Sequence, residues 1–165
     1  MDIIRELGHL TLGSRLKRLG ERLQAQTQEL LDDAGIDLPA SHFPLLAALG
    51  QMGPLSVGEL AQAVGVSQPG ITRMLEKLES DGWVTSRRDE GDRRLRRMIL
   101  TKAGRELIAR ARKSVWPEIE AAVVDACADA AGPLLTQLSS LEDALASESL
   151  RSRAARIPAR NRRDA

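Results

Sequence analysis

Residues Ser56–Thr101 read SVGELAQAVGVSQPGITRMLEKLESDGWVTSRRDEGDRRLRRMILT. Ser56 stands three residues before Glu59, the spacing of a capping box. The hydroxyl accepts from a first-turn N–H and the carboxylate accepts from the cap's own N–H. Val57, Leu60, Ala61 and Val64 then share one helical face, and Gly65 supplies the left-handed residue that commonly ends a helix. Val66 is an inward turn residue and Ser67 a second cap. Pro69 is tolerated because first-turn N–H groups have no helical partner. A second helix is predicted over 68–80, with Ile71, Met74, Leu75 and Leu78 towards a core.

The opposite face of that helix carries Pro69, Thr72, Arg73 and Glu76, flanked by Gln68 and Lys77. Arginine pairs with guanine edges, glutamine with adenine, and the threonine methyl with the thymine methyl. Small residues at Pro69 and Gly70 allow backbone to approach a groove wall. A solvated amphipathic helix explains the same face equally well when it is taken alone.

The following segment separates the two readings. Asp81-Gly82 stops the helix, Trp83–Thr85 is β-prone, and Arg94–Leu100 forms a second β-prone run. Glu90-Gly91-Asp92 is a turn signal between them. Arg87, Arg88, Arg93, Arg94, Arg96 and Arg97 crowd into this one hairpin. Such density repels itself unless phosphates or a narrow minor groove neutralise it. A wing merely kept soluble by charge, with Asp89, Glu90 and Asp92 as partners, ranks second. Two short helices followed by a basic hairpin define a winged helix-turn-helix.

The segment Gly53–Gly104 resembles the MarR family of bacterial transcriptional regulators. Its wing carries Asp92-Arg93-Arg94, then Leu100-Thr101 and Gly104. The resemblance covers most of the chain and thins beyond about Ser147. It implies that Arg94 enters the minor groove with Asp92 holding it, and that Gln68, Pro69, Thr72 and Arg73 face the major groove. Ser67 and Lys77 complete the expected DNA-binding set. It also implies a homodimer in which the N- and C-terminal helices of two subunits intertwine. The expected fold is mainly α with a small β-hairpin wing, plus a helical dimerisation region.

Composition agrees with one compact unit. The 165 residues carry 24 Lys+Arg and 23 Asp+Glu, so the net charge of +1 does not make the molecule a polycation. Any attraction to DNA must come from local clustering of charge. Aromatics are limited to Phe43, Trp83 and Trp116, which disfavours stacking on single strands. The single cysteine, Cys127, excludes an intrachain disulfide and a cysteine-based zinc site. There is no long apolar run and no apolar signal-peptide core at the N-terminus, so a soluble cytoplasmic protein without a membrane span is expected.

Leu12, Leu16, Leu19, Leu23, Gln26 and Leu30 alternate in steps of four and three, a heptad seam suited to an intersubunit or interdomain contact. Ala34–Pro39 reads as a helix end and linker. Ser41 is expected to cap a helix running to Leu49, with Pro44 in its first turn and Gly50 as its stop. Thr101 caps a helix from Lys102 to about Ala128. Pro117 within it predicts a kink or break near 113–116. Gly132-Pro133 precedes a last helix over about 134–146, striped by Leu134, Leu138, Leu141 and Leu145. The tail, with Arg151, Arg153, Arg156, Arg160, Arg162 and Arg163, is too poor in apolar residues to order itself. A solvated terminus is preferred there to an arm contacting phosphates.

Other chemistries have little support. His9 and His42 are too few and scattered for a metal site. Cys127 lies among Val124, Ala126 and Ala128, and reads as a small hydrophobe. Family members that sense oxidants usually place the cysteine in the N-terminal helix, where this chain has none. No nucleophile–base pair, phosphate loop or paired carboxylates suggest an enzyme, and no cofactor is implied.

The expected organisation is a dimerisation helix over 1–36, a winged-helix lobe over 37–101, dimerisation helices over 102–148 and a basic tail over 149–165. The reading is a sequence-specific double-stranded DNA-binding regulator, a repressor, acting as a homodimer on a pseudo-palindromic operator. Many relatives release DNA on binding a small aromatic or phenolic molecule. His42, Phe43, Arg112 and Trp116 are the candidates for such an effector. Two alternatives remain open: a winged-helix protein–protein module, and a ligand sensor without DNA binding.

Overall fold

The computed structural model describes residues 1–88 and 96–156. The expected wing-tip residues Asp89, Glu90, Asp92, Arg93 and Arg94, and Arg160, Arg162 and Arg163 of the tail, lie outside the described residues. Two compact units divide after Glu120.

The first unit opens with a short helix α1 (Ile3–Glu6) and a single 3-10 turn. The long helix α2 (Leu12–Asp33) follows. Next come α3 (Phe43–Met52), α4 (Val57–Val64) and α5 (Gln68–Ser80). The antiparallel hairpin β1 (Val84–Arg88) and β2 (Arg96–Leu100) leads into α6 (Lys102–Lys113) and α7 (Val115–Ala126). One apolar core joins these elements. It takes Leu31 from α2, Leu45, Leu46 and Leu49 from α3, Leu60, Ile71 and Leu78 from the helix pair, Val84, Met98 and Leu100 from the hairpin, and Leu107, Ile108 and Ala111 from α6. No polar or charged side chain is buried among the described residues. Each Leu or Ile fully withdrawn from water contributes about 1.5–3 kcal/mol, so this core supplies most of the driving force.

Local signals set several boundaries. The capping box forms: Glu59 N–H donates to Ser56 Oγ at 3.3 Å, and Ser56 N–H donates to Glu59 Oε2 at 2.7 Å. Gly65 ends α4 at φ 70°. Thr101 Oγ1 accepts from Gly104 N–H at 3.0 Å and caps α6. The helix predicted from 102 to 128 breaks at Ser114 (φ −114°, ψ −82°). Pro117 has no N–H to offer the Lys113 carbonyl, so the chain restarts as α7 with proline in the first turn.

Three boundaries differ from expectation, and one pairing is additional. Ser41 does not cap α3. Residues Ala40–His42 form a 3-10 turn in which His42 N–H already bonds Pro39 O at 2.8 Å, and the Ser41 hydroxyl lies 3.2 Å from His42 Nδ1. Gly50 is not the stop of that helix, which runs on to Met52. Gly53, at φ 83°, is the residue in the left-handed region. Trp83 is a bend just before the first strand, which starts at Val84, although its carbonyl accepts from Thr101 N–H at 3.1 Å in the register of the hairpin. A bridge between Leu55 and Met98 adds a short third chain to the hairpin, which sequence reading did not foresee.

The second unit holds the end of α7, then α8 (Leu134–Ser147) and α9 (Leu150–Arg156). Neither α8 nor α9 has a buried residue. Residues 150–156, read from sequence as part of an unstructured tail, are therefore helical. Apolar burial does not account for this helix, since none of its residues is buried. The helix is instead held by polar contacts: Ser149 Oγ accepts from Ser152 N–H at 3.2 Å, Arg153 donates to the Glu148 and Ala144 carbonyls, and Arg156 pairs with Glu148.

Candidate nucleic-acid interface

Helix α5 is anchored by Ile71, Leu75 and Leu78, all nearly inaccessible to solvent. Its other face is free to read a surface. Ser67, Gln68, Pro69, Thr72, Arg73 and Lys77 are all exposed, as the 3.6-residue period predicts. Ser67 caps the helix, its Oγ accepting from Gly70 N–H at 3.3 Å. Thr72 Oγ1 donates to Gln68 O at 3.0 Å, so its hydroxyl proton is committed to backbone. Arg73 has no hydrogen-bond or ion-pair partner among the described residues. Lys77 Nζ lies 2.9 Å from Asp81 Oδ1, and this hydrogen bond raises the lysine pKa. A phosphate approaching Lys77 must compete with Asp81.

Gly70 has a packing reason in addition to the groove-approach reason read from sequence. A Cβ there would lie 2.8 Å from Val66 Cγ1, so the tight turn between α4 and α5 needs glycine. A Cβ on Gly58 would sit 3.5 Å from Gln68 Nε2, which places the Gln68 amide beside the first turn of α4.

The hairpin register explains why the wing is electrostatically unusual. Arg87 pairs with Arg97 and Arg88 with Arg96, two like-charged pairs directly opposite each other at the tip end of the ladder. Directly opposed like charges destabilise a hairpin. Arg97 is relieved by Glu59, whose Oε2 lies 3.1 Å from its Nη1. Hydrogen bonds from Ser56 N–H and hydroxyl, then the Arg97 charge, hold the Glu59 carboxyl below the ordinary range. One carboxylate thus caps α4 and ties the wing to it. Arg88 and Arg96 are exposed and have no ion-pair partner among the described residues. A polyanion would supply one.

A second candidate site lies behind α3. Phe43 and Trp116 meet edge to face, with ring centroids 5.9 Å apart at 72°, and the Arg112 guanidinium lies 5.5 Å from the Trp116 centroid. A cavity of about 390 Å³ opens beside this trio, lined by Phe43, Trp116, Thr27, Ala47, Ile119 and Glu120 among others. Of the four residues singled out from sequence, Phe43 and Trp116 line the cavity. Arg112 stacks behind it, and His42 precedes Phe43 without lining it. Thr27 and Glu120 were missed, since neither stands out in a single sequence.

His42 is half-buried, and desolvation lowers its pKa below 6.5, against the nearby Asp81 charge. Its neutral form is favoured in the fold. As pH falls below about 6.5 the unfolded chain takes up a proton that the folded chain resists, so stability drops. The drop in thermal midpoint between about pH 7.5 and about pH 5 is expected to be smaller in His42→Gln than in the wild type. Parallel curves would remove His42 from the pH response.

Residues 36–95 match the model of the MarR family. Over 93 residues the chain is 30% identical to YpoP, an uncharacterised HTH-type transcriptional regulator of Bacillus subtilis (strain 168). That match takes in 56% of this chain and 64% of YpoP, so the chain spans less than two thirds of that relative's length. Among solved structures, the transcriptional repressor CouR, bound to a 23-mer DNA duplex, aligns with TM-score 0.62 and 28% identity over 86% of this chain and 95% of that one. The transcriptional regulator BldR from Sulfolobus solfataricus aligns with TM-score 0.64 and 26% identity over 90% and 100% of the two chains. Over residues 36–95, therefore, the chain is similar to the MarR family.

Proposed function

We propose that this protein is a transcriptional regulator that binds double-stranded DNA sequence-specifically, as a homodimer, on a pseudo-palindromic operator. The observation that carries the reading is the exposed polar face of α5 beside a hairpin with two opposed arginine pairs. Each subunit presents Ser67, Gln68, Pro69, Thr72, Arg73 and Lys77 to a major groove. Arg94, held by Asp92, takes the minor groove, a role that rests on the family resemblance. A two-fold dimer sets the half-sites about 34 Å apart. CouR, with its bound duplex, supports the DNA partner. The regulator acts as a repressor, and a neutral phenolic or aromatic effector occupies the cavity beside Phe43 and Trp116. The Glu120 carboxylate at that cavity accepts a phenolic O–H and repels acidic ligands.

Selection of random duplexes by the purified protein, followed by sequencing, tests the core of this reading. Failure to enrich any sequence at moderate salt overturns it. On the selected operator, Arg73→Ala is expected to cost about 1–3 kcal/mol of discrimination at one base pair per half-site. Arg94→Ala is expected to weaken binding with the thermal midpoint unchanged. Uniform weakening on all sequences by Arg73→Ala would place that side chain on phosphate instead.

A further inference from the structure

The hairpin is held at two levels. Its base is set by the core, through the buried Val84, Met98 and Leu100. Its middle is gripped from both edges. Ser86 and Met98 stand opposite each other in the ladder. Met98 turns away from β1: its N–H donates to Leu55 O at 2.7 Å and its carbonyl accepts from Leu55 N–H at 3.2 Å. In an antiparallel ladder the residue opposite such a group also points its backbone outward. The Ser86 N–H accordingly faces away from β2, and it donates to Glu79 Oε1 of α5 at 3.1 Å. On the other strand, one position nearer the tip, Arg97 Nη1 donates to Glu59 Oε2 of α4 at 3.1 Å and to the Pro54 carbonyl at 3.4 Å. Each helix of the pair thus sends one carboxylate to one strand of the hairpin. Glu59 and Glu79 are both exposed, so neither is there to fill the core.

We infer that Glu59 and Glu79 are positioning residues for DNA recognition, which fix the angle of the hairpin to α5 and so the spacing between their two sets of groove contacts. This rests on the DNA binding of the proposed function and adds what holds its two contact elements in register. A tilt of the hairpin about its buried base displaces the far end most. On the operator, the wing contact must coincide with the base contacts of α5, and a tilted wing loses it. On an unrelated duplex, phosphate contacts carry the binding, and a wing at another angle finds other phosphates. Losing the clamp therefore lowers the preference for operator rather than binding as such. Removing a carboxylate's charge near phosphates acts in the other direction and tightens binding to every duplex.

Paired variants of the full chain separate these effects. Glu79→Ala and Glu79→Gln lose the same charge, but glutamine keeps an oxygen that can accept from Ser86 N–H. Glu59→Ala and Ser56→Ala both weaken the cap of α4, but only the first unties Arg97. Alanine is the best helix former, so Glu79→Ala at an exposed position of α5 should fold as the wild type does. Affinity is measured for the selected operator and for an unrelated duplex at several salt concentrations. The ratio of the two is expected to fall about fivefold or more in Glu79→Ala and in Glu59→Ala, the least that one mismatched base pair brings. It should stay near wild type in Glu79→Gln and Ser56→Ala. In an Arg94→Ala background the alanine variants should lower it no further, because the contact they misplace is already gone. Ratios equal to wild type in both alanine variants overturn the clamp and leave the DNA reading standing. If Glu79→Ala and Glu79→Gln behave alike, each binding every duplex more tightly, the carboxylate acts only through its charge and the clamp is overturned. An equal fall in Ser56→Ala and Glu59→Ala assigns the effect to the cap and overturns the part given to Glu59. A wild type that enriches no operator removes both the clamp and the DNA reading.

Discussion

Leu19→Asp is expected to abolish the dimer and to lower operator affinity by about 10²–10⁴-fold, the avidity gained from a linked second half-site. Leu16, Leu19 and Leu23 run along one side of α2 and are 37%, 45% and 46% exposed. A monomer leaves this stripe in water, along with Leu134 and Leu145 of α8, at 37% and 47%. Burying each leucine against a second copy contributes about 1.5–3 kcal/mol at most. A carboxylate at the centre of that contact reverses the sign, because an unpaired charge withdrawn from water costs several kcal/mol. The α5 core residues lie elsewhere, so the reading head itself should stay folded. Leu138→Asp on α8 should give the same result from the opposite end of the chain. Sedimentation velocity and duplex binding on the same samples decide it. Dimeric variants, or a monomeric wild type that binds a single half-site as tightly as a full operator, would sink the architecture.

Gly104→Ala is expected to destabilise the first unit by about 1–3 kcal/mol or more, the range for forcing extra volume into a packed site. A Cβ at Gly104 would stand 2.1 Å from the Trp83 carbonyl oxygen and 3.1 Å from its carbon. The obstacle is backbone and cannot swing aside. That same carbonyl accepts from Thr101 N–H at 3.1 Å, and Thr101 Oγ1 caps α6 while also donating to Gly82 O at 2.7 Å. Moving Trp83 therefore disturbs the end of α5, the start of the hairpin and the cap of α6 together. At about 2–4 °C per kcal/mol for a chain of this size, the thermal midpoint should fall by several degrees. Gly50→Ala is the control. Gly50 lies inside α3, where the nearest atom to a new Cβ is Leu100 Cδ1 at 3.7 Å. Relief of glycine's backbone entropy there should stabilise by about 0.5–1 kcal/mol. Equal midpoints for Gly104→Ala and wild type in a thermal scan would show that the close approach does not exist in solution.

The candidate interface was legible to different depths. The outward side chains of α5 could be placed from sequence because one periodicity decides both faces: once Ile71, Leu75 and Leu78 go in, Thr72, Arg73 and Lys77 must come out. The engagement of Lys77 with Asp81 is an i,i+4 contact and could have been read the same way. For the cavity, Phe43 and Trp116 are reached, with His42 and Arg112, only as effector candidates through the family resemblance. Thr27 and Glu120 carry no pattern of their own, and only packing brings them to that wall.

The caps and breaks were determined by the sequence itself. Ser56 with Glu59, Ser67 with Gly70, Thr101 with Gly104, and the break before Pro117 each involve groups within one helical turn. Nothing beyond that turn is needed to state their energetics. The tertiary structure alone decided the contacts that span the chain. Arg97 reaches Glu59 across 38 residues and the Pro54 carbonyl across 43, and Leu55 bridges Met98. It also decided which glycine ends α3, since Gly50 and Gly53 are equally plausible stops until the backbone places Gly53 at φ 83°. Local interactions repeat with the period of the helix and leave a mark on the sequence. Contacts between distant segments have no period, and they exist only after the core has brought those segments together.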